Sequence, residues 1–170
     1  MHFKISNIPY HKWLLVFKVL AFDIIVVAVV LTIMYLSGNL GSTNYRSAYS
    51  AFFYPLNQFD YFFRSTAWQT ALREEAYYRG PIWILSASGF TLSIKGRKLD
   101  NLLVWSTILI PTAFWAYSHE AFNLPIFIVG ISWGWLVART KSLWPAIVSH
   151  MTANVLIYFA LKILLLFIKI

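Results

Sequence analysis

Residues 14–36 read LLVFKVLAFDIIVVAVVLTIMYL, an apolar run with Asp23 as its single acid. A helix crosses the hydrocarbon core of a bilayer in about 20 apolar residues, and this run is long enough. In lipid every backbone N–H and C=O must find its partner within the segment, so such a stretch is read as a helix. Working outward, further apolar runs lie at about Ala67 to Phe90, Leu102 to Tyr117, Phe122 to Ala138 and Leu143 to about Leu161. Hydrophobic residues fill 59% of the 170 positions and charged ones 12%, against roughly a quarter charged in soluble domains. The expectation is an all-α, polytopic transmembrane helical bundle of about five spans, a single integral-membrane domain over residues 1–170. An extra interfacial or re-entrant helix is expected in the Tyr- and Phe-rich segment from Leu40 to Thr66.

The formal charge of +8 is distributed with a pattern. Lys4 and Lys12 precede the first run, Lys95, Arg97 and Lys98 separate the second from the third, and Arg139 and Lys141 separate the fourth from the fifth. These regions share one side of a five-span topology, and the positive-inside rule makes that side, with the N-terminus, cytoplasmic. The basic excess also favours an anionic bilayer surface. Scattered among loops, it forms no nucleic-acid face. The first run exceeds a signal-peptide core and is not closed by a small-x-small cleavage site, so it reads as a retained anchor in the plasma (inner) membrane. Without cysteine, disulfides, thiolate metal ligands and a thiol nucleophile are excluded.

Only six acids occur in the chain, and two of them, Glu74 and Glu75, stand side by side in the second run. Ionisable groups at membrane depth are costly and point to function. On a helix Glu75 and Arg79 are i and i+4, the favourable order for an ion pair. Glu74 turns about 100° away, toward Tyr77 and Tyr78, and suits a general base. The structural alternative is an ion-pair cluster of both acids with Arg73 and Arg79. A second candidate is Trp115-Ala-Tyr-Ser-His119, where His119 is either an interfacial polar residue or part of a site. The third is His150-Met-Thr-Ala-Asn154, one helical face that serves either an interhelical hydrogen bond or a reacting carbonyl. Asn154 does not titrate, so donor is the role its chemistry allows.

Other chemistries fare worse. Ser86-Ala-Ser88-Gly89 lacks the leading glycine of a rhomboid-type serine loop, and an aspartic intramembrane protease needs two aspartates where only Asp23 fits. Asp23 is expected to pair with a polar core group or to help a cavity hold water. His119-Glu120-Ala-Phe-Asn123 begins like the zincin signature but has Asn at the second ligand position. With straight spans, His119 sits near the external end of the third run and His150 about 10 Å from the cytoplasmic end of the fifth. Bringing them together requires broken or tilted helices, for which Pro125 is a cue.

Glu74-Glu75-x-x-Tyr78-Arg79-Gly80, Trp115-x-x-x-His119 and His150-x-x-x-Asn154, in that order, resemble the motifs of the CPBP family, the CAAX prenyl protease and bacteriocin-processing (Abi) group of intramembrane glutamic-type proteases. Phe127-Ile-Val-Gly130 and Thr140-Lys-Ser142-Leu-Trp-Pro-Ala-Ile147 resemble its spacer. The similarity runs from Gln69 to Val155 and marks a protease-like core at about 69–155. The resemblance implies an intramembrane endopeptidase in which Glu74 activates water with help from His119. His150 and Asn154 would stabilise the oxyanion, and Glu75, Arg79, Tyr78 and Trp115 would support the site. The family usually has Phe where this chain has Trp115. The chain is also short for the family, so cavity shaping falls to the first span or to oligomerisation.

The mechanistic alternative is a zinc metalloprotease with Glu74, His119 and His150 as ligands; the metal-free route is favoured, with no cofactor. The implied substrate is a membrane-anchored or hydrophobic-tailed protein or peptide: a prenylated C-terminus, a peptide precursor or a C-terminal sorting helix. A non-catalytic immunity or partner-stabilising membrane protein is the alternative of another class. A small multi-pass chain with this motif set looks prokaryotic.

Overall fold

The computed structural model describes residues 10–37, 56–88, 93–94, 97–98, 100–119 and 124–167. Lys4, residues 38–55, Lys95, Glu120 and Asn123 lie outside the described residues. Each of the five apolar runs forms a helix. Helix α1 spans Tyr10–Leu36, a short α2 Phe59–Phe62, α3 Gln69–Ser88, α4 Asp100–Tyr117, α5 Leu124–Thr140 and α6 Trp144–Phe167. The described residues are helical apart from one small antiparallel pairing between α3 and α4, β1 (Ser93–Ile94) with β2 (Arg97–Lys98), which the apolar pattern does not announce. By length and composition one helix among the described residues is long and apolar enough to cross a membrane, over Trp13–Val30; Asn101–Tyr117 and Leu124–Thr140 are shorter apolar helices.

Local chemistry sets the boundaries. A turn at Leu56–Gln58 leads into α2, and a π turn over Phe63–Trp68 joins α2 to α3 with helical backbone at both junctions. The segment expected as an interfacial piece therefore ends, in its described part, as the lead-in to α3. A π turn inserts an extra residue and often lies near a functional site; here it comes just before Glu74. Pro125 and Pro145 stand in the first turns of α5 and α6, where a missing N–H costs nothing. Between these helices Lys141 adopts φ 56° and donates its N–H to Val137 O at 2.8 Å, closing α5. Pro81 and Pro111 lie inside α3 and α4, so the carbonyl four residues before each loses its helical donor.

Helix α5 is the centre of the bundle and packs against α1, α3, α4 and α6. Its Gly130 and Gly134, one turn apart, are where α4 approaches most closely. A Cβ at Gly134 would lie 2.8 Å from Ile108, and one at Gly130 would lie 2.6 Å from Thr112 and 2.7 Å from Arg79. Small residues at this spacing let helices pack where lipid supplies no hydrophobic drive. The interior is unusually polar: Asp23, Glu75, Arg79, Thr112, Ser149 and His150 are buried, while Phe17, Ile25, Ile33, Leu102 and Phe114 are exposed.

Candidate active site

Consecutive residues on a helix diverge by about 100°, and Glu74 and Glu75 of α3 end in different surroundings. Glu75 is fully buried. One of its oxygens hydrogen-bonds Nδ1 of His150 on α6 at 2.9 Å, and the other lies 3.5 Å from Nε of Arg79, one turn along α3. Glu74 keeps 23% of its side chain exposed, and its Oε2 stands 3.9 Å from His150 Nε2. The same oxygen accepts the indole N–H of Trp115 on α4. His150 is thus held between the acids, Nδ1 toward the buried one and Nε2 toward the accessible one.

Aromatic faces wall this cluster. Trp133 of α5 stacks on the His150 ring with centroids 4.3 Å apart at 27°, and Trp115 meets it edgewise at 5.6 Å. The Arg79 guanidinium lies 4.2 Å over the Trp115 ring and 5.7 Å from that of Trp133. Its three nitrogens make no hydrogen bond, so the approach to Glu75 is ionic without hydrogen-bond geometry. A planar guanidinium suits this setting, because indole faces attract it while Glu75 balances its charge. Gly130 creates the space: an added Cβ would meet Arg79, Thr112 and Trp115, all within 2.9 Å.

The expected residues converge unequally. Glu74, Glu75, Arg79, Trp115 and His150 form one cluster, with Tyr78 packed on Trp115 at 6.5 Å. Arg73 is exposed, and among the described residues it makes no ion pair with Glu74 or Glu75. His119, in the turn after α4, places Nδ1 2.8 Å from the Trp115 carbonyl and its ring 5.3 Å from the Trp115 indole. It makes no hydrogen bond or ion pair with Glu74. The two histidines, which straight spans would separate, both contact Trp115, whose indole bridges the levels at which they lie. Asn154 is half-buried one turn beyond His150 on the same face of α6, and its side chain makes no hydrogen bond among the described residues. The Ser86 and Ser88 hydroxyls donate to carbonyls of their own helix, Trp83 O and Leu85 O.

His150 Nδ1 meets Glu75 and His119 Nδ1 lies against a backbone carbonyl, contacts that leave Nε2 of each ring as the nitrogen available to a ligand. Among the described residues no three His, Asp or Glu side chains are grouped as metal ligands.

Sequence reasoning missed Trp133, while Asp23 pairs with polar groups of the core, one of the two outcomes expected for it. In the structure Asp23 of α1 is buried, with Oδ2 accepting the Trp133 indole N–H at 2.6 Å and Oδ1 accepting the Ser132 hydroxyl at 2.9 Å. Trp115 likewise does more than pack, since its N–H reaches Glu74. The available signal was a matching of needs: a buried indole N–H requires an acceptor, and Asp23 and Glu74 are the acids within the apolar runs that have no Lys or Arg at helical spacing.

Comparison with known families gives one finding: the model described as Type II CAAX prenyl endopeptidase Rce1-like matches residues 58–156. No curated protein and no solved structure matches the chain.

Proposed function

This chain belongs to the Rce1-like family of type II CAAX prenyl endopeptidases, membrane proteases, and we propose that it is an intramembrane endopeptidase in which Glu74 activates the attacking water. The observation that carries this reading is the division between the two acids. Glu75 is buried and committed to His150 and Arg79, whereas Glu74 is partly open with an oxygen 3.9 Å from His150 Nε2. A water held there would hydrogen-bond both groups.

Glu74 takes a proton from that water as its oxygen bonds to the scissile carbonyl carbon. The carbonyl π pair moves onto oxygen, where His150 Nε2–H and the Asn154 carboxamide donate to it. The proton on Glu74 passes to the leaving nitrogen, the C–N bond breaks, and carboxylic acid and amine separate, the acid then giving its remaining proton to the amine or to water. His150 Nδ1 faces a carboxylate and donates to it, so for Nε2 to donate as well the ring must carry both protons. His119 acts through Trp115, steadying the indole whose N–H orients Glu74. Glu75 and Arg79 hold His150 and the helix in place.

The polar groups in the interior and the apolar exterior support a membrane-embedded bundle; we read five crossing helices, with the N-terminus and the basic turns in the cytoplasm on the positive-inside rule. The substrate is a membrane-anchored or hydrophobic-tailed protein or peptide. The test is cleavage of co-expressed membrane-anchored substrates by wild type, Glu74→Gln and His150→Ala at equal membrane levels. Loss in both variants is expected. Unchanged processing in both, where wild type acts, would favour a non-catalytic membrane-partner role instead.

A further inference from the structure

We propose that Asp23, on the first helix and outside the family-matched residues 58–156, is a positioning residue for this site, acting through Trp133 on His150. The contacts are continuous. Asp23 Oδ2 holds the Trp133 N–H at 2.6 Å, the Trp133 ring lies on His150 at 4.3 Å and 27°, and His150 bonds Glu75 at 2.9 Å. All three links are buried: Asp23 is 1% exposed, Trp133 2% and His150 4%.

An indole has one hydrogen-bonding handle, and anchoring it fixes the rotation of the ring about its own side-chain bonds. The plane of Trp133 thereby sets the plane of His150, and with it the direction in which Nε2 faces Glu74. Docking α1 does not by itself call for an acid, because Val16 and Val19 on the same helix are already buried in the core. A carboxylate at this depth is expensive. What it supplies is one oxygen for the Trp133 N–H and a second 2.9 Å from the Ser132 hydroxyl, whose single proton is shared with Val129 O at 2.7 Å. An asparagine there offers one acceptor and turns an N–H₂ toward a donor.

The kinetic consequence rests on the proteolytic reading; the structural coupling does not. The full chain in detergent, labelled with 15N-histidine, is compared as wild type, Asp23→Asn, Trp133→Phe, the double variant, Ile25→Ala as an exposed α1 control, and Glu74→Gln. The His150 ring signals are assigned by their loss in His150→Ala, and cleavage is followed on a farnesylated peptide ending in a CAAX tetrapeptide. Asp23→Asn and Trp133→Phe should each shift the His150 signals and lower kcat about tenfold, within the range that a misplacement of about 1 Å produces. KM should stay within about twofold. The double variant should be no worse than the poorer single one, because both remove the same link.

Unmoved His150 signals in both single variants, independent losses that multiply, or an equal loss in Ile25→Ala would overturn the proposal. If Asp23→Asn does not fold, Trp133→Phe, which keeps an aromatic ring on His150, carries the test. If wild type cleaves no faster than Glu74→Gln, the proteolytic reading falls, and the His150 signals alone decide the coupling.

Discussion

At Gly130 the bundle has no room for even one more carbon, because Thr112, Arg79 and Trp115 close on it together. Gly130→Ala must displace a buried guanidinium stacked on an indole, so it should cost about 1–3 kcal/mol and disturb the site, as overpacking does. Gly134→Ala has its nearest contacts with one residue, Ile108, in place of three, and should cost less. Thermal unfolding of both variants in detergent checks the order. Arg79 poses a different problem. Removing its charge in Arg79→Met strands Glu75 in the interior, a loss of about 3–5 kcal/mol for a broken buried pair. Adding Glu75→Gln removes the stranded charge, so the double variant should lose less than the sum of the single ones; additive losses would mean that the 3.5 Å approach carries no coupling.

Between α5 and α6 the chain reverses in three residues, and Lys141 holds the left-handed conformation that makes this turn, φ 56°. A non-glycine residue there costs roughly 1–2 kcal/mol. Lys141→Gly relieves that strain against a glycine entropy cost of about 0.5–1 kcal/mol. The expected net gain is about 0.5–1 kcal/mol, read as a higher midpoint of unfolding; a lower midpoint would show that the lysine side chain matters more than its backbone. The helices themselves were legible because lipid leaves the backbone few choices, and Pro125 and Pro145 mark two helix starts in the sequence. Partner choice was less legible. Asp23 and Trp133 are 110 residues apart, and no periodicity links them. The approach of His150 to Trp115 was also hidden, since it depends on how α4 and α6 lie around α5, whereas Trp115 and His119, one turn apart, were readable on one helical face. The pair Glu75 and Arg79, one turn apart on one helix, was readable because its geometry is local.

At the scale of the whole molecule, acids, an arginine and a histidine sit inside an otherwise apolar core, and phenylalanine, isoleucine and leucine stand outside. Such an exterior suits a bilayer, and the connections constrain how the helices cross it. The turn from Thr140 to Trp144 and the link from Tyr117 to Leu124 are too short to cross a bilayer. Consecutive helices there must run in opposite directions, so Lys141 and Asn57 belong on opposite faces if all five long helices cross. The proposed topology puts the Lys141 face in the cytoplasm, on the positive-inside rule. The chain has no cysteine, so a single introduced thiol reports its own side without background. Lys141→Cys should react with an impermeant maleimide in inverted vesicles and stay protected in intact spheroplasts, and Asn57→Cys, which is exposed at the start of the helical lead-in to α3, should do the reverse. Labelling of both from one side would break the five-crossing arrangement. Labelling of each from the opposite side to that expected would keep the crossings and reverse the orientation, moving the His119 end of the site to the cytoplasmic face.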